Sequence, residues 1–497
     1  MNSLRSKGAA AGAADKRWIA LAVIVAAQFM VVLDVAIVNV ALPSIKTDLH
    51  FSQESLQWVI TAYAILFGGA LLLGGRLADL LGRRRLFIVG VALFGVSSLL
   101  SGLAWSEGSL ILFRALQGLS GALLSPAALS ILTTTFREGR ERNIALGVWG
   151  AASGSGGAAG VLLGGALTSY LGWSWIFFVN VPVAAAIIGV TPWLLRESRV
   201  EVARRHFDVA GATTITSSLM LLVYAMTRAT QHGWSDSITV GALAVSAALA
   251  VSFVVIELRS KAPLLPMRIF KLRTLSAANG TALLLASAVF SQFFLLTLYM
   301  QQVLHYSAIK TGVAYIGLTV SIVAFSAVAQ TLATRIGVRR VLPVGLLLSA
   351  AGLVLYARLP VHGHYFWDVF PAFLLSGIGL ALSFVPTQIA SLTGVQPAEA
   401  GAASGLINTS QQIGGAIGLA AATTIATTYT SRYVSAHAGV TASSGSALTH
   451  GFEIAFYVLA ALATLGAIVS AVFIESRPKT SQEEAVEVGA VQMEAAA

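Results

Sequence analysis

The sequence predicts an all-α polytopic membrane protein: two six-helix bundles with two central helices inserted between them, fourteen transmembrane helices in all. Three observations carry that expectation. Of 497 residues, 56% are hydrophobic and only 10% charged, whereas a soluble domain carries roughly 25% charged residues. Apolar runs of about twenty residues or more recur along the chain, each long enough to cross a bilayer as a helix. A short polar motif occurs twice, at 77–85 and at 332–340, and relates two halves of the chain.

The N-terminus carries Arg5, Lys7, Lys16 and Arg17 and leads into an apolar run at 18–42. That run is longer than the core of a cleaved signal, so it is expected to stay as the first span behind a cytoplasmic tail, 1–17. Further spans are expected at 56–78, 86–104, 109–134, 143–168, 175–195, 208–228, 237–258, 274–300, 311–334, 341–359, 366–393, 401–428 and 451–474. Residues 475–497, with Glu483, Glu484 and Glu487, read as a disordered cytoplasmic tail. With both termini cytoplasmic, 25 of the 31 lysines and arginines fall on the cytoplasmic side. Lys46, Arg228, Lys310, Arg358 and Arg432 fall on the other side, and Arg114 alone lies within a span. Such an asymmetry is the positive-inside bias of a multi-pass protein of the cytoplasmic membrane. It accounts for the net charge of +10 without nucleic acid. The loop near Gln396 is the exception, since it carries no base. Cysteine is absent, which excludes disulfides, thiol catalysis and cysteine-ligated metals.

The motif LADLLGRRR at 77–85 matches LATRIGVRR at 332–340 at Leu, Ala, Gly and the last two Arg. Both copies join two spans on the same side, so the second span corresponds to the tenth. An offset of eight means parallel halves, 18–195 and 274–474, with 208–258 inserted between them. Parallel halves are a transporter plan, with the substrate near mid-membrane at their interface.

The first copy sits in GGRLADLLGRRRLF, 74–87, which reads as a tight loop at the membrane surface, because Arg76 and Asp79 are costly at bilayer depth. Asp79 falls where a helix should end, and the negative end of a helix dipole disfavours a carboxylate. It therefore needs an arginine or the N-terminus of another helix. Gly75, Asp79, Gly82, Arg83 and Arg84 are read as a conformational latch. Asp34 is the only carboxylate clearly inside an apolar span and is a candidate proton carrier. Arg114 needs an acid, backbone carbonyls or water, and Asp34 is its natural partner. Protonating Asp34 would break such a pair and bias one conformation over another; a permanent structural pair is the plainer alternative.

Gly156, Gly160, Gly164 and Gly165 lie in GGAAGVLLGG, which lacks the Lys-Ser/Thr of a phosphate-binding loop and suits close helix packing instead. Asn408, Gln411 and Gln412, interleaved with glycines in 401–428, either glue helices together or line a wet cavity. Asn39, Gln57, Trp58, Tyr63, Gln292 and Phe293 are candidate walls of a substrate cavity, or else aromatic anchors at the membrane boundary. The segment HGHYFWD at 362–368 fits no common zinc spacing, so no metal or cofactor is expected.

Together these motifs resemble the major facilitator superfamily, and within it the fourteen-span drug:proton antiporters. GRLADLLGRRR, 75–85, looks like that superfamily's loop between its second and third helices. LDVAIVNVALP, 33–43, resembles the first-span signature of drug exporters. Arg114, Gln117, Gly118 and Gly121 match the fourth-span motif, whose arginine is associated with proton coupling. Gly156, Gly160, Gly164 and Gly165 match the fifth-span glycine motif of antiporters. The resemblance covers nearly the whole chain; it implies the major facilitator fold and an Asp79 lying near Gly401. Two departures stand out: Val161 replaces a proline that bears on a helix kink, and the thirteenth span offers only Asn408, Gln411 and Gln412 where some relatives carry an acid.

What the resemblance implies is a proton-coupled antiporter, not an enzyme. It would export lipophilic drugs or related toxic compounds by alternating access, as a monomer, with protons, a small lipophilic substrate and the bilayer as partners. One alternative is a dedicated exporter of a single natural product or lipid. Another is a multispan lipid-modifying enzyme, which would need acids or histidines clustered at the membrane surface; the sequence offers no such cluster.

Overall fold

The computed structural model describes residues 2–195, 197–198, 208–260 and 263–475. Among them every regular element is a helix. Fourteen long helices follow one another: α1 Asn2–Asp48, α2 Trp58–Leu81, α3 Arg83–Gly102, α4 Glu107–Thr135, α5 Arg140–Tyr170, α6 Asn180–Leu194, α7 Val209–His232, α8 Ser237–Arg259, α9 Arg273–Leu298, α10 Ile316–Ile336, α11 Val338–Ala357, α12 Phe370–Ser391, α13 Ala400–Ala436 and α14 Gly445–Phe473. Each expected span falls on one of them. Short helices, Trp175–Phe178 and Ala308–Ala314, precede α6 and α10.

Among the described residues twelve helical stretches are long and apolar enough to cross a membrane, thirteen if the bent α5 is one span. The expected fourteenth, in α13, has the length but is diluted by Ser, Thr, Asn and Gln. Its surroundings explain how it tolerates them: α13 packs against α2, α4, α7, α9 and α14, so little of it needs to face lipid. In the first half, α1 packs on α5 and α6, α2 on α4, and α3 on α4 and α6. In the second, α9 packs on α13 and α14, α10 on α12, and α11 on α12 and α14. Two seams join the halves, α2 with α13 and α5 with α10. The inserted α7 and α8 pair with each other, and α7 lies across both α2 and α13. Their turn is closed by Arg228 and Asp236, 2.6 Å apart. Hydrogen bonding by Arg228, then by the Thr239 backbone, holds the Asp236 carboxyl down at about 2.

Three expectations change. The stretch 74–87 is not a loop: α2 continues through Leu81 and α3 begins at Arg83, leaving only Gly82 between them. Gly82 has φ 109° and its repeat mate Gly337 has φ 88°, values that side chains rarely adopt, so one glycine makes the whole turn in each half. The N-terminal segment, expected as a tail, is helical: α1 starts at Asn2, helped by the helix-favouring alanines at 9–11 and 13–14, and the stretch apolar enough to span begins at Lys16. The tail at 476–497 lies outside the described residues. Finally, α5 bends by 40° between Gly157 and Ala159. With valine at 161, consecutive glycines supply the weak point that a proline would otherwise provide.

Candidate functional site: a buried ion pair and a helix-capping latch

Asp34 sits near the middle of the part of α1 that is apolar enough to span, Lys16–Asp48, and α5 closely approaches the residues on either side of it. A Cβ added at Gly160 would lie 2.7 Å from the Ala36 Cβ and 2.8 Å from the Leu33 carbonyl oxygen, and one at Gly156 2.9 Å from Val32. Gly164 similarly meets Ile37, so three of the four motif glycines flank Asp34; Gly165 faces Ile309 instead. The acid is fully buried and Arg114 is 1% exposed. Arg114 Nη1 donates to Asp34 Oδ2 at 2.6 Å. The other carboxylate oxygen, Oδ1, accepts from Gln117 Nε2 at 2.8 Å and from Asn180 Nδ2 at 3.0 Å. Both amides also donate to Ser98 Oγ, at 2.6 and 3.3 Å.

The guanidinium is equally well held. Its Nε donates to the Val59 carbonyl at 3.1 Å, Nη1 also reaches Gln117 Oε1, and its carbon lies 4.4 Å from the Tyr63 ring centre. Taking two charges out of water is expensive, and such a pair persists only when further hydrogen bonds and ring contacts satisfy both partners. Five helices, α1 to α4 and α6, supply those partners. Sequence reasoning found Asp34, Arg114 and Tyr63 but missed Ser98 and Asn180. For Asn180 one signal was available, a lone amide in the apolar run WIFFVNVPV; Ser98 has none.

The second constellation lies at the face that carries the N-terminus. Asp79 is fully buried. It accepts from the Gly401 and Ala402 backbone N–H groups at 3.1 and 3.2 Å, and from Arg83 Nη2 at 2.7 Å. Its negative charge thus caps the positive end of α13 across the seam between halves. The seam is tight because it is built of glycine. A Cβ on Gly75 would come within 2.3 Å of the Gly401 carbonyl oxygen, and one on Gly401 within 2.2 Å of that of Gly75. Arg83 continues to the Pro397 carbonyl at 2.5 Å, and Arg268 pairs with Glu399 at 2.6 Å. The base-free loop near Gln396 is therefore met by cations from elsewhere. Arg84 donates to the Leu195 carbonyl at 3.2 Å, and Glu197 accepts the Arg84 and Arg85 backbone N–H groups at the start of α3. In the second repeat Thr334 stands where the first has Asp79, and it accepts from Asn143 Nδ2 at 3.0 Å, near the start of α5.

The proposed cavity walls do not gather in one place. Trp58 stacks on Tyr224, and Gln231 donates to Gln57, so both fasten the inserted α7 to α2. Gln292 is buried and accepts from Ser376 at 3.1 Å, and Phe293 stacks on Tyr315. Asn39 is exposed and bonded back to the Val35 carbonyl at 2.9 Å. Asn408 Oδ1 lies 3.5 Å from Ser125 Oγ, which donates to Gln28 at 2.8 Å, a polar link among α13, α4 and α1. Gln412 packs beside Gly68, and Gln411 is half-buried. Among the described residues no group of three His, Asp or Glu could hold a metal ion.

A multi-pass helical protein with an ion pair sealed in one half and a charged cap bridging both halves has the frame of a membrane transporter. The chain belongs to the Major Facilitator Superfamily, whose family model matches residues 24–419. It is 40% identical over 475 residues to the puromycin resistance protein pur8 of Streptomyces alboniger, covering 95% of this chain and 94% of that one. It is 38% identical over 409 residues to the cephamycin export protein CmcT of Amycolatopsis lactamdurans, covering 82% and 84%. In fold it is similar to the human organic anion transporter MFSD10, with a TM-score of 0.63 at 16% identity, over 91% of this chain and 99% of that one.

Proposed function

We propose that this protein is a proton-coupled antiporter of the cytoplasmic membrane that exports lipophilic drugs or related toxic compounds. Both termini are cytoplasmic, a single chain suffices, and the segments 18–195 and 274–474 rock against each other with 208–258 as an insert. The relatives' names support export of antibiotics, and the observation that carries proton coupling is the sealed Asp34–Arg114 pair. With Asp34 ionised the pair is neutral. A proton arriving there leaves Arg114 buried without its counter-charge, and breaking a buried pair in that way costs about 3–5 kcal/mol. The strain is relieved when the halves rearrange and hydrate the arginine, so proton binding favours the other conformation. A membrane potential of about 100 mV gives about 2.3 kcal/mol per charge. One proton can therefore sustain about a fortyfold gradient of an uncharged substrate from that potential alone, whereas a monocation such as ethidium draws on the pH gradient.

The test is Asp34→Asn in sealed proteoliposomes, with ethidium and puromycin as probes. Efflux driven by an imposed pH gradient is lost while the variant still elutes as a folded monomer. Efflux that still follows the gradient assigns the proton to another residue. A second reading, a dedicated exporter of one natural product, is favoured by relatives named for a single compound, such as the tetracenomycin C resistance and export protein of Streptomyces glaucescens. Comparing several unrelated dyes separates the two.

A further inference from the structure

The Asp34 carboxylate is held by two kinds of neighbour. Oδ2 faces the Arg114 guanidinium, which can only donate. Oδ1 faces two neutral amides, Gln117 and Asn180, and each amide carries both a donor and an acceptor end. As arranged, all three groups donate, which suits the ionised acid. A protonated acid needs an acceptor for its new O–H, and the guanidinium offers none. Gln117 is constrained, since its Oε1 already accepts from Arg114 while its Nε2 serves Asp34 and Ser98. Asn180 has no such tie on its oxygen: its amide nitrogen reaches Asp34 at 3.0 Å and Ser98 at 3.3 Å, and it is 2% exposed.

We propose that Asn180, braced by the Ser98 hydroxyl, is a positioning residue that sets the pH range over which Asp34 exchanges its proton. With Asp34 ionised, the Asn180 amide donates to Oδ1. With Asp34 protonated, the amide turns over and brings its oxygen to the place its nitrogen held, where it accepts from the carboxyl O–H and from the Ser98 hydroxyl, which can donate as well as accept. Asn180 is the first residue of α6, directly after Val179 separates that helix from Trp175–Phe178, so the same turn of the amide acts at a break in the chain. The charged and titratable groups facing Asp34 are few. Arg114 and the neutral Gln117 come from α4, and Tyr63 of α2 lies beyond them beneath the guanidinium; α3 and α6 contribute only neutral groups, Ser98 and Asn180, and the α5 glycines meet the neighbouring residues Val32, Leu33, Ala36 and Ile37.

This inference rests on the reading of Asp34 as the proton carrier. It is tested by following, against pH, the protons released when ethidium is added to the full-length protein in lightly buffered detergent, and ethidium efflux from proteoliposomes. Asn180→Leu keeps the branched shape and removes both bonds; the charge-assisted one to the ionised acid is about twice as strong as the neutral one to the protonated acid, so the midpoint of both profiles moves up, by roughly half to one pH unit. Ser98→Ala moves it the same way by less, and Asn180→Gln restores part of the shift. An Asn180→Leu profile that keeps its midpoint while turnover falls equally at every pH overturns the proposal. If Asn180→Leu does not fold, an unmoved midpoint in Ser98→Ala overturns it instead. The two readings fail separately: a pH-driven Asp34→Asn variant defeats the carrier assignment. An inactive Asp34→Asn with an unmoved Asn180→Leu midpoint defeats only the positioning role.

Discussion

Asp79→Ala should loosen one seam of the protein and nothing else. In the closed arrangement Asp79 is fully buried and holds two backbone N–H groups of α13 together with Arg83, itself 4% exposed. Removing one member of a buried pair costs about 3–5 kcal/mol, because the other charge is left behind. Arg83 keeps the Pro397 carbonyl and Ser198, so the lower end applies. Where the seam has opened, water serves both partners and the substitution costs little. The closed form should therefore lose about 3 kcal/mol, on the order of a hundredfold in the closed-to-open ratio. Asp79→Asn keeps an acceptor oxygen without the charge and should lose about 1–2 kcal/mol, roughly tenfold. The absence of cysteine makes the measurement clean. Spin labels on Leu81→Cys in α2 and Arg335→Cys in α10 report the separation of the cytoplasmic ends by pulsed electron paramagnetic resonance. A distance distribution unchanged by Asp79→Ala would refute the reasoning, and so would an asparagine as damaging as the alanine.

Four further outcomes are expected. Asp79→Ala slows ethidium turnover more than it weakens ethidium binding; weaker binding at full turnover counts against a latch. Gly160→Ala drives a Cβ into Ala36 and the Leu33 carbonyl, costing about 1–3 kcal/mol, read as a lower unfolding temperature in detergent. Gly157→Ala meets nothing within 4 Å and should show no steric loss in the same assay. Arg268→Gln removes the cation from a pair whose arginine side chain is 64% exposed but whose Glu399 is buried, leaving an amide donor in its place, so efflux should fall by about tenfold or less.

How legible was this in the sequence? The helices were readable because lipid demands long apolar runs: each expected span falls on a long helix, though α1 begins well before its expected start and α13 runs past its expected end. Asp34 and Arg114 stood out for the same reason, as charges where charges are costly. Asp79 demanded a partner because a carboxylate does not suit the end of its own helix, and both partner types considered are present, Arg83 and the start of α13. What could not be read was neighbourhood among neutral residues. Ser98 and Asn180 look like any small polar residue in a span, and only the approach of α3 and α6 to α1 gives them a role. Trp58 and Gln57 show the same limit: an aromatic and an amide near a helix end suit a cavity wall, and nothing in the sequence signalled that both would also touch the inserted α7. The tight turn at Gly82 was read as a loop because charge was taken to end the helix. Hydrogen bonds to Asp79 let the helix run on.

The second copy of the turn keeps its glycine and exchanges the acid for Thr334, which receives a neutral amide from Asn143. A neutral bond of that kind is worth about 1 kcal/mol, well below the charged cap on the other side. A machine of two matched halves thus carries one strong clasp and one weak one. The polar clasps of the two seams are unequal: a neutral bond between α5 and α10, and a buried carboxylate between α2 and α13. Timing in such a device belongs to one corner, and altering Thr334 toward an acid would be the way to give it two.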